Sequence, residues 1–176
     1  MALLDWIVLL VTLLFIVIYG SWKTRGSKNV KDFIKVESKI YAVTDNAVFI
    51  YDEIRKKEIV LTPEEWVRQN FIHFLINHHN YSKNYIKVEK QIKVNDRLKR
   101  FDVLVYNKEG SPFLLIECKA PTVKISQATF SQIATYNRNL KVPYLIVTNG
   151  LNHFICKIDF EKNSFKYLKE IPEFVM

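Results

Sequence analysis

Hydrophobic and polar positions alternate along the chain with periods that change several times, and each change marks an element. The first run has no polar period at all: from Trp6 to Trp22 no residue is charged, and Ile7 to Tyr19 is almost wholly apolar. A helix apolar on every face is either a membrane span or a fully buried core helix. The run is close to the ~17–20 residues needed to cross the hydrocarbon core, with Trp6, Tyr19 and Trp22 at interfacial positions. Asp5 precedes it and Lys23, Arg25, Lys28 and Lys31 follow, the reverse of a cleavable secretory signal. The reading is an uncleaved anchor over residues 1–22, with membrane contact through residues 3–22. A basic juxtamembrane linker follows over residues 23–38. The positive-inside rule then places everything after Lys23 in the cytoplasm, tethered to the inner membrane by this single helix.

From residue 39 to 176 the pattern becomes that of a folded domain. Lys39–Val43 and Ala47–Tyr51 are β-prone runs around Thr44-Asp45-Asn46, and Glu58–Leu61 suggests a third short strand. Thr62-Pro63-Glu64-Glu65 combines an N-cap, a proline at the first helical position and a glutamate three residues after the cap. The helix is expected to run to about Asn77, with Val67, Phe71, Phe74, Leu75 and His78 along one side. Tyr85–Val94 alternates as a half-buried strand, and Asn95-Asp96-Arg97 is read as its turn. Phe101–Tyr106 and Pro112–Lys119 complete a meander around Asn107–Gly110. A second helix is expected over Ser126–Asn139, then a buried strand at Pro143–Thr148 and two more at Asn152–Ile158 and Ser164–Leu168. This order predicts an α/β fold, a mixed β-sheet flanked by helices and preceded by one N-terminal transmembrane helix.

Composition narrows the classes. The 176 residues are 49% hydrophobic and 25% charged with only 4 Gly and 5 Pro, which excludes disordered and collagen-like chains and leaves room for one domain. The formal charge is +8; residues 1 to 36 hold five basic against two acidic residues, so the remainder carries +5. Such a surplus favours a polyanion such as DNA without identifying one. Cys118 and Cys156 lie in apolar runs without metal-ligand spacing and read as reduced core thiols.

The candidate chemistry sits where charge interrupts apolar strands. Strand alternation puts Glu117 and Lys119 on one face, with Leu114, Ile116 and Cys118 on the other. Asp102 interrupts the preceding strand in the same manner, so pairing around Gly110 brings Asp102 towards Glu117. Two carboxylates offer hard oxygen ligands to Mg²⁺ or Mn²⁺, and a neighbouring lysine can orient a bound water or support developing charge. Simple salt bridges of Asp102 and Glu117 with Lys99, Arg100 or Lys119 are the plainer alternative. His73, His78 and His79 read as surface or cap residues rather than ligands. Phe71, Phe74, Tyr81 and Tyr85 read as core rather than a base-stacking platform.

Asp102 followed by Glu117-Cys118-Lys119 resembles the D…E-x-K signature of the PD-(D/E)XK nuclease superfamily, and specifically the N-terminal nuclease domain of type I restriction enzyme R subunits. Glu64, with Arg68 four residues on, resembles that family's first helix, whose glutamate joins the metal site. Gln132-Ile133-Ala134-Thr135-Tyr136 resembles its Q-x-x-x-Y motif. The resemblance spans about Phe49 to Pro172. It implies a restriction-endonuclease-like fold and a metal-dependent DNA endonuclease with Asp102, Glu117, Lys119, Gln132 and Tyr136 in the catalytic site. Glu64, Asp102 and Glu117 are implied as metal ligands, and DNA and restriction-system subunits as partners. A catalytically silent nuclease-fold module that binds nucleic acid or protein at the membrane is the alternative from another class. No helicase motor is expected within these residues, so translocation-driven cleavage is not implied. Separately, Leu4-Asp5-Trp6 and Asp32-Phe33 around the apolar run resemble the first transmembrane helix of sodium:solute symporters, from which no transport follows.

Overall fold

A computed structural model describes residues 40–44, 47–94, 97–126, 129–130, 133–134, 137 and 140–174. The proposed anchor and linker, residues 1–38, lie outside them. Among the described residues no helix is long and apolar enough to cross a membrane.

Three short strands, β1 (Ile40–Thr44), β2 (Ala47–Asp52) and β3 (Lys57–Val60), pair antiparallel into a sheet of their own. Periodicity had led us to expect one mixed sheet; there are two, because alternation identifies a strand but not its partner. Helix α1 follows at Pro63–His79, with the Thr62 hydroxyl accepting the Glu65 N–H and Asn80 closing the C-terminus in a left-handed conformation. After a 3-10 turn at Lys83–Tyr85, strands β4 (Ile86–Val94), β5 (Arg97–Tyr106) and β6 (Pro112–Cys118) form the expected meander. The β4–β5 ladder continues to Val94↔Arg97, so Arg97 belongs to the strand and not to the turn assigned to it.

Strand β7 (Tyr144–Thr148) lies parallel to β6. A parallel neighbour needs a long crossover, and the connection holds helical backbone at Thr129, Phe130, Ile133, Ala134, Asn137 and Leu140. Strands β8 (His153–Asp159) and β9 (Ser164–Leu168) close a six-stranded mixed sheet in sequential order β4 to β9.

Both faces of this sheet are covered. On one, Val67, Phe71 and Leu75 of α1 pack with Val103, Val105, Leu114, Ile116 and Ile146. On the other, Phe130 and Ile133 cover Leu104, Leu115, Leu145 and Val147. A smaller cluster of Val48, Ile50, Leu61 and Trp66 joins the three-stranded sheet to α1. Helix α1 departs from a simple amphipathic stripe: His78 is exposed, whereas Arg68, Gln69, Asn70 and His73 are buried beside the apolar residues. His73 is thus neither a surface nor a cap residue. Partners meet several of these groups: Gln69 bonds to Asp52 of the small sheet, Arg68 to Asp102 of β5, and Asn70 to the Trp66 carbonyl of its own helix.

Candidate active site

Antiparallel pairing of β5 and β6 runs through Val105↔Leu114, Leu104↔Leu115 and Val103↔Ile116. One step further along each strand stand Asp102 and Glu117. Lys119 follows just past the end of β6, its backbone N–H donating to Thr148 O at 2.8 Å, so β7 fixes where the lysine leaves the sheet. Its Nζ lies 2.7 Å from Glu117 Oε1, the co-facial pair that strand alternation predicts.

Asp102 is held at both oxygens. Oδ2 accepts the backbone N–H of Cys118 at 2.7 Å, and Oδ1 accepts Arg68 Nη2 at 2.9 Å. The same Nη2 lies 3.0 Å from Glu64 Oε1, so one guanidinium nitrogen bridges the first turn of α1 and the β5 carboxylate. Asp102, Glu117, Lys119 and Glu64 are therefore neighbours, as the sequence suggests. Gln132 and Tyr136, the remaining catalytic candidates, lie outside the described residues.

Electrostatics marks this group out. Burial and then the charge of Asp102 raise the Glu117 carboxyl above its ordinary range, against the opposing bond from Lys119. Burial and Asp102 likewise raise Glu64, with Arg68 and Lys119 opposing. Burial would lower Lys119, but its bond to Glu117 and the charges of Glu117, Asp102 and Glu64 outweigh that and keep it a firm ammonium. Burial pushes the Cys118 thiol well up, which makes it a wall of the site and not a nucleophile.

The two glutamates in the first turn of α1 face different groups. Glu64 is part-exposed and faces Asp102, whereas Glu65 is buried and points into a different cluster. There Glu65 accepts from Arg55 Nη2 at 2.8 Å and from Gln69 Nε2 at 2.8 Å, and pairs closely with Arg68 Nη1. Arg55 also donates its Nε to Asp52 at 2.5 Å and pairs with Glu89, which Arg100 approaches at 3.4 Å. Glu89 adopts a left-handed backbone, φ 49°, inside β4, directly across the ladder from Asp102 and between the pairs Val88↔Val103 and Lys90↔Phe101. Non-glycine residues are held that way only when their surroundings insist. Sequence reasoning missed Asp52, Arg55, Glu65 and Glu89 and gave Arg68 no role. The only local signal was the spacing of Glu64 and Glu65 to Arg68, which suits i,i+4 and i,i+3 pairs on a helix.

The donor set fits a hard divalent ion in chemistry: carboxylate oxygens on adjacent strands, with Glu64 and Glu117 raised by burial and then by Asp102. Among the described residues, however, no three His, Cys, Asp or Glu side chains converge closely enough to hold one. Arg68 stands between Glu64 and Asp102 instead, which leaves Asp102 and Glu117 as the pair best placed to ligate.

The family described as "Type I restriction enzyme R protein N terminus" matches residues 63–172, a stretch that contains Glu64, Asp102, Glu117 and Lys119. No curated protein matches the chain. Among solved structures, a fragment assigned to the HsdR subunit of a type I restriction enzyme from Vibrio vulnificus aligns at 18% identity and a TM-score of 0.43. The alignment covers 58% of this chain and 22% of that one, so the chain spans about a fifth of that structure's length.

Proposed function

Because the chain belongs to the family of type I restriction enzyme R protein N termini, we propose that Asp102, Glu117 and Lys119 form a metal-dependent endonuclease centre that hydrolyses phosphodiester bonds of DNA. The observation that carries this reading is the register of β5 and β6, which sets two carboxylates side by side with a lysine 2.7 Å from one of them. Asp102 and Glu117 would hold Mg²⁺ or Mn²⁺, with Glu64 as an auxiliary ligand. Such an ion, when bound, neutralises a phosphate and makes water a better nucleophile.

The chain's own residues do the rest. Lys119 Nζ, kept charged by Glu117, faces the position where an attacking water loses its proton and where the phosphate gains negative charge. The Cys118 N–H fixes one oxygen of Asp102, so that this carboxylate does not reorganise during turnover. Gln132 and Tyr136 are assigned to positioning the strand or the lysine. DNA is the proposed substrate and other restriction-system subunits the proposed partners. Attachment of a cytoplasmic domain to the membrane through residues 3–22 belongs to the same proposal.

A binding module without turnover is favoured by one specific observation: Arg68 already satisfies Asp102 and Glu64. Incubating the full chain, purified in mild detergent, with duplex DNA and Mg²⁺ or Mn²⁺ separates the readings. The nuclease reading expects nicking or cleavage, reduced about 10²–10³-fold in Lys119→Ala and abolished in Asp102→Ala. Equal cleavage by parent and variants would remove these residues from the mechanism; metal-independent retention of DNA without cleavage would establish the binding module. Recovery of the full chain in the soluble fraction of cells would dispose of the membrane attachment.

A further inference from the structure

Arg68 is the most enclosed cation among the described residues of the polar centre, with its side chain 4% exposed. Four carboxylates surround it. Glu64 and Asp102 share Nη2 at 3.0 and 2.9 Å, Glu65 pairs with Nη1, and Glu89 lies 3.9 Å from Nη1. Burial alone would lower its basicity; Asp102 first, and then the other acids, raise it instead. Among the described residues its buried Nε has no hydrogen-bond partner, so the guanidinium sits where the acids pull it rather than where all its donors are satisfied.

Two of these acids, Glu64 and Asp102, belong to the ligand set under the nuclease reading, on which this inference rests. We propose that Arg68 is a positioning residue and the resident counter-cation of the site, which holds Asp102 in its ligating orientation and weakens the site's affinity for a divalent ion. Its plane is set from behind. Glu65 holds Nη1 and is itself held by Arg55 and Gln69, both of which bond to Asp52 Oδ2, at 2.5 and 2.8 Å. The three-stranded sheet thereby orients the guanidinium, and the guanidinium orients Asp102. A fixed positive charge beside a ligating carboxylate opposes an incoming divalent cation, and a low-dielectric setting makes the opposition strong. In return, Asp102 is preorganised and does not wander towards Lys119 or Arg100.

Removing the charge therefore has opposite effects on binding and on turnover, which a merely structural residue would not produce. Mn²⁺ binding to the full chain, read by the loss of the free-ion EPR signal, should tighten by about tenfold or more in Arg68→Gln. DNA cleavage at saturating Mn²⁺ should fall about 10²-fold because Asp102 loses its brace. Arg68→Lys keeps the charge but not the fork, so its Mn²⁺ affinity should stay within about twofold of the parent while turnover still falls.

If Arg68→Gln does not fold, Arg68→Lys and the double variant Glu65→Gln/Arg68→Gln, which leaves no unpaired buried acid at position 65, carry the comparison. The double variant is expected to bind Mn²⁺ more tightly than the parent. Unchanged or weaker binding in a folded Gln variant overturns the proposal, as does tenfold tightening in Arg68→Lys. A parent that binds no Mn²⁺ overturns both this inference and the nuclease reading. A parent that binds Mn²⁺ but never cleaves DNA ends the nuclease reading alone, because the affinity order of the variants still decides the role of Arg68.

Discussion

Asp52→Ala tests whether the polar centre is held from the small sheet. Asp52 is fully buried at the end of β2 and accepts four hydrogen bonds. The N–H groups of Ile54 and Arg55 reach Oδ1 at 2.8 and 2.7 Å, while Arg55 Nε and Gln69 Nε2 reach Oδ2 at 2.5 and 2.8 Å. Truncation strips the β2–β3 turn of its internal acceptor and leaves a guanidinium and an amide facing a void. Breaking one partner out of a buried ionic set costs ~3–5 kcal/mol, and here the lower half of that range is already large against the ~5–15 kcal/mol of a whole domain. With a urea slope of ~2 kcal/mol/M, the unfolding midpoint should fall by ~2 M at unchanged slope. Asp52→Asn keeps an acceptor for the turn but sets an amide NH2 where Oδ2 accepts from Arg55 Nε and Gln69 Nε2, so two hydrogen bonds to the carboxylate are lost and a fall of roughly 1.5 M is expected. Circular dichroism at 222 nm follows both. An alanine variant within ~0.5 M of the parent would show that the network contributes little to stability and that the site does not depend on the small sheet.

Further outcomes follow from other positions. His153 is partly buried, bonded through Nδ1 to Thr148 Oγ1 at 2.7 Å and stacked on Phe71, and desolvation of its ring lowers its pKa to about 4. Its unfolded pKa is higher, so the unfolded chain binds the proton more readily. Stability is therefore complete above about pH 6.5 and declines by ~3 kcal/mol as pH falls to about 4, a decline that His153→Gln should abolish in urea titrations. Glu64 and Glu117 act with the opposite sign: their carboxyls are raised by folding, so protonation relieves a penalty present at neutral pH, and the His153→Gln variant should gain stability as acid is added. Gly110 has φ 78° in the β5–β6 turn and open space where a Cβ would stand, so Gly110→Ala should cost about 1 kcal/mol of unfolding free energy from backbone alone and leave cleavage intact. Cys118 and Cys156 are both free and buried, with thiols raised by burial, that of Cys156 to about 11. A thiol reagent at pH 8 should label neither until denaturant is added; prompt labelling of either would contradict their burial.

How far the sequence reveals these features depends on the range of the interactions concerned. The start of α1 was legible in Thr62-Pro63-Glu64-Glu65 because a cap is a local matter of a few backbone donors. The strands were legible because alternation is local too, and alternation is also what made Glu117 and Lys119 co-facial. The proximity of Asp102 to Glu117 needed one further step, a tight antiparallel turn at Gly110, and the register supplies it. By contrast, Arg68 and Asp102 are 34 positions apart, as are Arg55 and Glu89. No period connects them. Their pairing depends on how α1 and the small sheet sit against β4 and β5. The buried polar side of α1 was misread for the same reason, since a hydrophobic stripe describes one partner surface and this helix has more than one.

The same network bears on what would draw a divalent cation to the proposed site. Around Asp102 the described acids are Asp52, Glu64, Glu65, Glu89, Asp102 and Glu117, and the cations that meet them are Arg55, Arg68, Arg100 and Lys119. Six negative charges against four positive leave two unopposed. At Glu64 and Glu117 burial raises the carboxyls first and the charge of Asp102 adds to it, whereas Asp52 and Glu65 have their arginines in direct contact. Protonating one of the raised carboxyls relieves part of the excess at acid pH; a single divalent ion beside Asp102 and Glu117 would cancel it at neutral pH. On this account divalent ion and proton compete for the same deficit. Mn²⁺ affinity should rise with pH through the carboxylate range and then level off. The dependence should weaken in Glu117→Gln, where Glu64 alone keeps a raised carboxyl, and an affinity that does not change with pH in the parent would show that the excess charge is not what draws the ion.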